Sequence, residues 1–140
     1  MQDALIEVDI PSRVDLVAVV RMVVAAASSA VDALHGDRLD DLRVVVSEAT
    51  TNAIEANLLH GEAGGRVRVR CEALPGLVRL RVCDEGPGMP DPEALPTMED
   101  PARLDFEGGF GIPLMRQLAD AAHFASGPEG TVVDLEIRQL

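Results

Sequence analysis

Three short stretches of the 140-residue chain carry side chains whose types and spacing could do chemistry. The first is Glu48, Asn52 and Glu55, at i, i+4 and i+7, which share one stripe if the segment is helical. A carboxylate and a carboxamide at the edge of a core can hold a hydrated divalent cation or orient a hydroxyl group. The same spacing also serves as an ordinary solvated helix flank. The second is Asp84-Glu85-Gly86-Pro87-Gly88-Met89, directly after an apolar run. Asp84 would sit at the rim of the core, and Gly86 and Gly88 permit close backbone approach. A carboxylate that accepts from an exocyclic amine, beside bare backbone, suits an adenine pocket; a plain Pro-Gly connection reads the same way. The third is Gly108-Gly109-Phe110-Gly111, which opens an apolar helical pattern. Glycines there expose N–H groups at the positive end of a helix, a site for phosphate or a simple entry turn.

The elements that must position these residues follow from periodicity. Residues 4–10 alternate apolar and polar and predict a strand. Ser12 and Asp15 resemble a capping box, so a helix is expected from there, with Leu16, Val17, Val20, Val23, Val24, Ala27, Val31 and Leu34 at helical spacing and Gly36 as its stop. A second helix is expected from about Asp37 to His60, stopped by Gly61, with Leu42, Val45, Val46, Ala49, Ala53 and Ala56 as its core stripe. His35 and His60 are read as capping the ends of these two helices. Residues 66–73 and 77–83 are predicted strands joined by a Pro75-Gly76 turn, with Val67, Val69, Leu80 and Val82 inward and the arginines between them outward. Asp134 and Glu136 suit cross-strand pairing with those arginines.

Residues 84–108 are rich in glycine, proline and acids and have no period, the mark of a functional or a mobile loop. A short helix is expected from about Gly111 to Ala121, then strands near 122–126 and 130–138. The sum is one α+β domain over residues 1–140. It should be a two-layer α/β sandwich, a mixed and mostly antiparallel sheet with helices on one face.

Composition removes several function classes. Acids number 24 against 12 cations, every cation is arginine, and the net charge is −12. Without lysine, P-loop NTPase, lysine-dependent kinase and Schiff-base mechanisms drop out. The acidic balance and the absence of Trp and Tyr speak against a nucleic-acid partner. Cys71 and Cys83 lack metal-site spacing and are expected to be free thiols. The longest apolar stretch, Leu16 to Val31, is interrupted by Arg21 and is too short to span a membrane. The first ten residues lack the features of a signal peptide, so a cytoplasmic protein with no membrane partner is expected.

Taken in order, VVSEATTNAIEAN, DEGPGM and GGFGIPLM resemble the three nucleotide-binding boxes of the GHKL ATP-binding superfamily, to which histidine-kinase catalytic domains belong. Within it the chain is most similar to the bacterial anti-sigma-factor serine kinases, over nearly its whole length. That resemblance implies ATP and Mg²⁺ as cofactors. It implies that Asn52 holds Mg²⁺ between the phosphates and that Glu48 is the general base toward a protein serine. Asp84 would take the adenine amine, with Gly86, Gly88 and Met89 wrapping the base. Gly109 and Gly111 would lie at the phosphates, and Thr131 would support Asp84 through its hydroxyl and a water. Residues of about 91–108 would form an ATP lid. The implied partners are a sigma factor, which such proteins sequester, and an antagonist phosphorylated on serine, so that transcription is regulated.

Arg21 would contact both partners, or is a plain surface arginine. The apolar surroundings of Arg21 (Val14, Ala18, Met22 and Ala25) would also suit a homodimer. Two features depart from the family pattern: Ala56 replaces a frequent histidine, and the lid carries six acids against Arg103 alone. The acidic lid motivates a second reading, a non-catalytic module of the same fold that sequesters a regulatory partner.

Overall fold

The computed structural model describes residues 3–59, 65–85 and 111–140. The chain begins with β1 (Ala4–Pro11), passes a 3-10 turn at Val14–Leu16, and enters α1 (Val17–Ala30) and α2 (Gly36–Leu59). Strands β2 (Arg66–Leu74) and β3 (Leu77–Cys83) form a hairpin around Pro75-Gly76, with Gly76 at φ +77. Then come α3 (Gly111–Leu118), β4 (Ala121–Gly127) and β5 (Gly130–Arg138).

The five strands make one sheet in the order β1-β2-β3-β5-β4, and every neighbouring pair is antiparallel. The expected mixed sheet is therefore corrected to an antiparallel one. The physical reason lies in the last hairpin. The connection from β3 through α3 returns β4 parallel to β3, but β5 inserts between them and pairs antiparallel with both. A period-two pattern gives strands and faces; it carries no information on strand order.

One face of the sheet packs on the helices. Val67, Val69, Cys71, Val78, Leu80, Val82, Val133, Leu135 and Ile137 meet Val20, Val24, Leu42, Val45, Val46, Ile54 and Met115 in a single buried core. The register places Val69 opposite Val82 and Leu80 opposite Leu135, so a slip of one residue would turn the whole set to water. The other face is wet and charged. Arg81 bonds Asp134 at 2.7 Å, Arg79 lies 3.3 Å from Glu136, and Arg66 bonds Asp9 at 2.7 Å. These pairs satisfy the polar groups of the face but are exposed, so solvent screening leaves each a weak contributor to stability.

Several local expectations are corrected. Ser12 and Asp15 form no capping box. The residue before the 3-10 turn, Arg13, makes no side-chain cap, Asp15 pairs with Arg13, and the Ser12 hydroxyl turns inward to the carbonyl of Gly65. Helix α1 ends at Ala30 rather than at Gly36. The chain leaves it through Asp32 at φ +54, with the Ala33 N–H on the Ser28 carbonyl and the Leu34 N–H on the Ser28 hydroxyl. Aspartate tolerates this left-handed conformation, so no glycine is needed. Gly36, at φ +58, opens α2 instead, and His35 lies between the helices with its N–H on the Gln139 side chain. Ala56 is only half-buried, and Asn57 takes the core position in that turn of α2. His60 and Gly61 lie outside the described residues.

A polar hub at Arg38 ties the helices to the sheet. Arg38 bonds Asp41 at 2.9 Å and Asp120 at 2.6 Å. It also donates to the carbonyls of Leu118 and Arg138. One guanidinium thus joins the start of α2, the end of α3 and the end of β5.

Candidate functional site

Asp84 follows β3 and is half-buried. Its N–H donates to the Thr131 carbonyl at 3.0 Å, and its Oδ1 accepts the Thr131 N–H at 3.1 Å. This reciprocal pair fixes both the backbone and one carboxylate oxygen against β5. Thr131 meets Asp84 through its own main-chain N–H and carbonyl. Its side-chain hydroxyl is fully buried and pairs at 2.8 Å with the Ser126 hydroxyl across the β4–β5 hairpin. Gly130 completes the arrangement. It adopts φ +140, and a Cβ there would collide with the Asp84 carbonyl.

On α2, Glu48 and Asn52 lie together on the half-buried flank, while Glu55 is exposed. Their carboxylate and carboxamide stand one turn apart at the boundary between core and water, able to serve a cation or a hydroxyl. Helix α3, which packs on α2, starts at Gly111. Pro113 falls in its first turn, where a missing N–H costs no helical bond. Ile112 and Met115 anchor α3 in the core. Gly86, Gly88, Met89, Gly109 and the segment of about 91–108 lie outside the described residues. Among the described residues, no three or more His, Cys, Asp or Glu side chains cluster to bind a metal by themselves.

Arg21 is half-buried on α1, its Nη1 donating to the Ser47 hydroxyl of α2 at 3.2 Å. It lines a cleft with Met22, Ala25, Ala26, Ser29 and Arg43. Met22 is 69% exposed and Val14 58%, so the neighbouring surface of α1 and its leading turn is more apolar than solvation requires. The sheet holds Cys71 as a buried thiol and Cys83 as a half-buried one, neither in a disulfide.

One residue that the sequence did not single out ties α2 to the residue after Asp84. Asn57, on α2, is completely buried. Its Nδ2 donates to the Ser12 hydroxyl at 2.9 Å and to the Arg66 carbonyl at 3.2 Å. Its Oδ1 accepts the Glu85 N–H at 2.9 Å. The Glu85 carboxylate in turn accepts the Arg66 N–H at 2.7 Å. The available signal was an asparagine four residues beyond Ala53 on the apolar stripe of α2, where a buried polar group must find partners.

Among the described residues, no helix is long and apolar enough to cross a membrane. Comparison with known proteins gives a family match over residues 10–137, to the histidine kinase-like ATPase domain. The serine-protein kinase RsbW of Staphylococcus aureus is 26% identical over 133 residues, covering 91% of this chain and 82% of the relative. The protein of the same name from strain JH9 is 27% identical over 121 residues, covering 82% of this chain and 75% of the relative.

Among solved structures, the RsbU and RsbW domains of Rv1364c from Mycobacterium tuberculosis share the fold with a TM-score of 0.67 at 19% identity. The match covers 96% of this chain and 32% of that one, so the chain spans about a third of that protein's length. The catalytic domain of the histidine kinase ThkA shares it with a TM-score of 0.57 at 18% identity, covering 95% of each chain.

Proposed function

The chain belongs to the histidine kinase-like ATPase domain family, and on that premise we propose that it is an ATP- and Mg²⁺-dependent serine kinase of the anti-sigma-factor type. The observation that carries this reading is the seating of Asp84. Its carboxylate stands at the end of β3, one oxygen bound to the Thr131 N–H, beside a glycine that leaves it room. A fixed carboxylate at the rim of a core is the acceptor an adenine amine needs.

The α2 flank supplies the second half. Asn52 offers a carboxamide oxygen to Mg²⁺. Mg²⁺ commonly takes few protein ligands and completes its shell with phosphate oxygens and water, so one carboxamide oxygen suffices from α2. A cation held by Asn52 would supply charge neutralisation at the phosphates. Glu48 accepts the proton of a protein serine as that hydroxyl attacks the terminal phosphorus and the bond from that phosphorus to the β–γ bridging oxygen breaks, with ADP as the leaving group. Gly86, Gly88 and Met89 line the base, and Gly109 and Gly111 expose main-chain N–H groups to the phosphates. Residues of about 91–108 cover the nucleotide. The protein works in the cytoplasm on two partners, a sigma factor that it sequesters and an antagonist that it phosphorylates. Arg21 and the α1 surface around it meet those partners.

Calorimetric titration with Mg-ATP tests the nucleotide site, with Asp84→Asn beside the wild type. Binding that disappears in the variant supports the reading. A folded wild-type protein that binds no nucleotide at millimolar concentration overturns it. The second reading, a module that sequesters a partner without catalysis, is favoured by the acidic lid sequence, with Asp91, Glu93, Glu99, Asp100, Asp105 and Glu107 against Arg103. Partner capture without transfer of phosphate would establish it.

A further inference from the structure

Asn57 has no part in the roles given above, yet its carboxamide is spent on three separate segments. It reaches the chain beyond β1 at Ser12, the start of β2 at Arg66, and the residue after Asp84. The last bond bears on chemistry. The Oδ1 of Asn57 holds the Glu85 N–H, so the Asp84–Glu85 peptide is tied to α2. On the other side Asp84 is tied to β5 through both N–H and Oδ1. Fixed on both sides, the backbone of Asp84 has little freedom, and its second carboxylate oxygen has one direction. The Glu85 side chain repeats the tie by accepting the Arg66 N–H, whose own carbonyl Asn57 also holds. A fully buried carboxamide that lost these partners would carry a large desolvation cost, so the bonds persist.

We propose that Asn57 is a positioning residue for base selection. Through the Glu85 N–H it aims Asp84, so that a purine bearing an exocyclic amine is preferred to one bearing an oxo group. The inference rests on the nucleotide-binding reading of Asp84. It goes further in assigning selectivity, as distinct from binding, to a residue that touches no nucleotide.

The test compares Mg-ATP with Mg-ITP, which differ at that substituent. The wild type should prefer ATP by about tenfold or more, the value of one hydrogen bond to a charged acceptor. Asn57→Ala should shrink the preference to about twofold while leaving ITP affinity nearly unchanged, because phosphate contacts are untouched. Leu34→Ala, which opens a cavity between α1 and α2 remote from Asp84, should lower thermal stability and keep the full preference.

If Asn57→Ala lowers stability but keeps the wild-type preference, Asn57 is merely structural and the proposal fails. It fails equally if Leu34→Ala loses the preference to the same degree. Where Asn57→Ala does not fold, Glu85→Pro removes the N–H that Asn57 holds, with Glu85→Ala accounting for the lost side chain. Collapse of the preference in the proline variant alone supports the tie, and its retention sinks it. A wild type that binds neither nucleotide overturns the reading of Asp84 and this inference together. A wild type that selects ATP beside an Asn57→Ala variant that still selects it overturns the inference alone.

Discussion

Gly130 leaves no room for a side chain beside the main-chain carbonyl of Asp84: a Cβ at that position would overlap the oxygen and crowd the Cα of Glu85. The first residue of β5 therefore sets how closely the end of β3 can approach. Its φ of +140 is also one that residues with a Cβ rarely adopt. Gly130→Ala should cost about 1–3 kcal/mol in urea denaturation. It should also displace Asp84 from Thr131 and weaken ATP by about tenfold or more. A variant with wild-type affinity would show that Asp84 tolerates displacement.

Glu48 and Asn52 share a flank, but the roles given to them are separable. Glu48→Gln preserves size and removes the base. Phosphate transfer to a partner serine should fall by about a hundredfold or more, the usual contribution of a positioned general base. Calorimetry should find Mg-ATP affinity little changed, because Asp84 and Asn52 remain. Full transfer by this variant would remove Glu48 from the chemistry.

How far the sequence predicts this molecule depends on which force decides each feature. The strands are legible because one face of each is buried, and Val67, Val69, Leu80 and Val82 all point where alternation puts them. Asp84 is legible as an acid ending an apolar run. The arginine ladders are legible as well, since Asp134 and Glu136 lie opposite Arg81 and Arg79. The order of strands is not, because β5 enters between β3 and β4 through contacts distant in sequence. The end of α1 is misread because Asp32 adopts the left-handed turn that glycine usually marks. Asn57 escapes for a similar reason. An asparagine on a helix reads as solvated until Ser12, Arg66 and Glu85 are brought around it. The Asp84–Thr131 link is main-chain on both sides of one bond, and no side-chain pattern encodes it.

Arg38 should be the most costly surface-proximal residue to lose outside the candidate site. Its side chain is 14% exposed and is shared by two carboxylates and two carbonyls. Arg38→Ala leaves Asp120 with the Arg138 N–H but without the guanidinium, removes the guanidinium donor to the Leu118 carbonyl, and should destabilise by about 2–3 kcal/mol in chemical denaturation. Arg38→Lys should recover only a small part, because one ammonium cannot replace a planar fork that spans three elements. A loss within about 0.5 kcal/mol for Arg38→Ala would mean that water substitutes for the hub.

Alkaline pH offers an unusually clean view of the core. The chain has no lysine and no tyrosine, so little besides cysteine titrates between the N-terminal amine and arginine. Burial in the sheet pushes the Cys71 thiol up from 9.0 to about 11. Burial also raises Cys83, with Arg81 opposing the effect. The sign follows from linkage: above pH 9 the unfolded chain releases the Cys71 proton while the folded chain keeps it. The unfolded state then binds fewer protons, and stability falls as pH rises. The Cys71 contribution should be nearly flat below pH 9 and decline toward pH 11 by about 2–3 kcal/mol. Cys71→Ala should lower stability at neutral pH and remove most of that slope. Denaturation curves at pH 8, 9, 10 and 11 under reducing conditions make the measurement. An unchanged slope in the variant would mean that Cys71 does not control the alkaline limb.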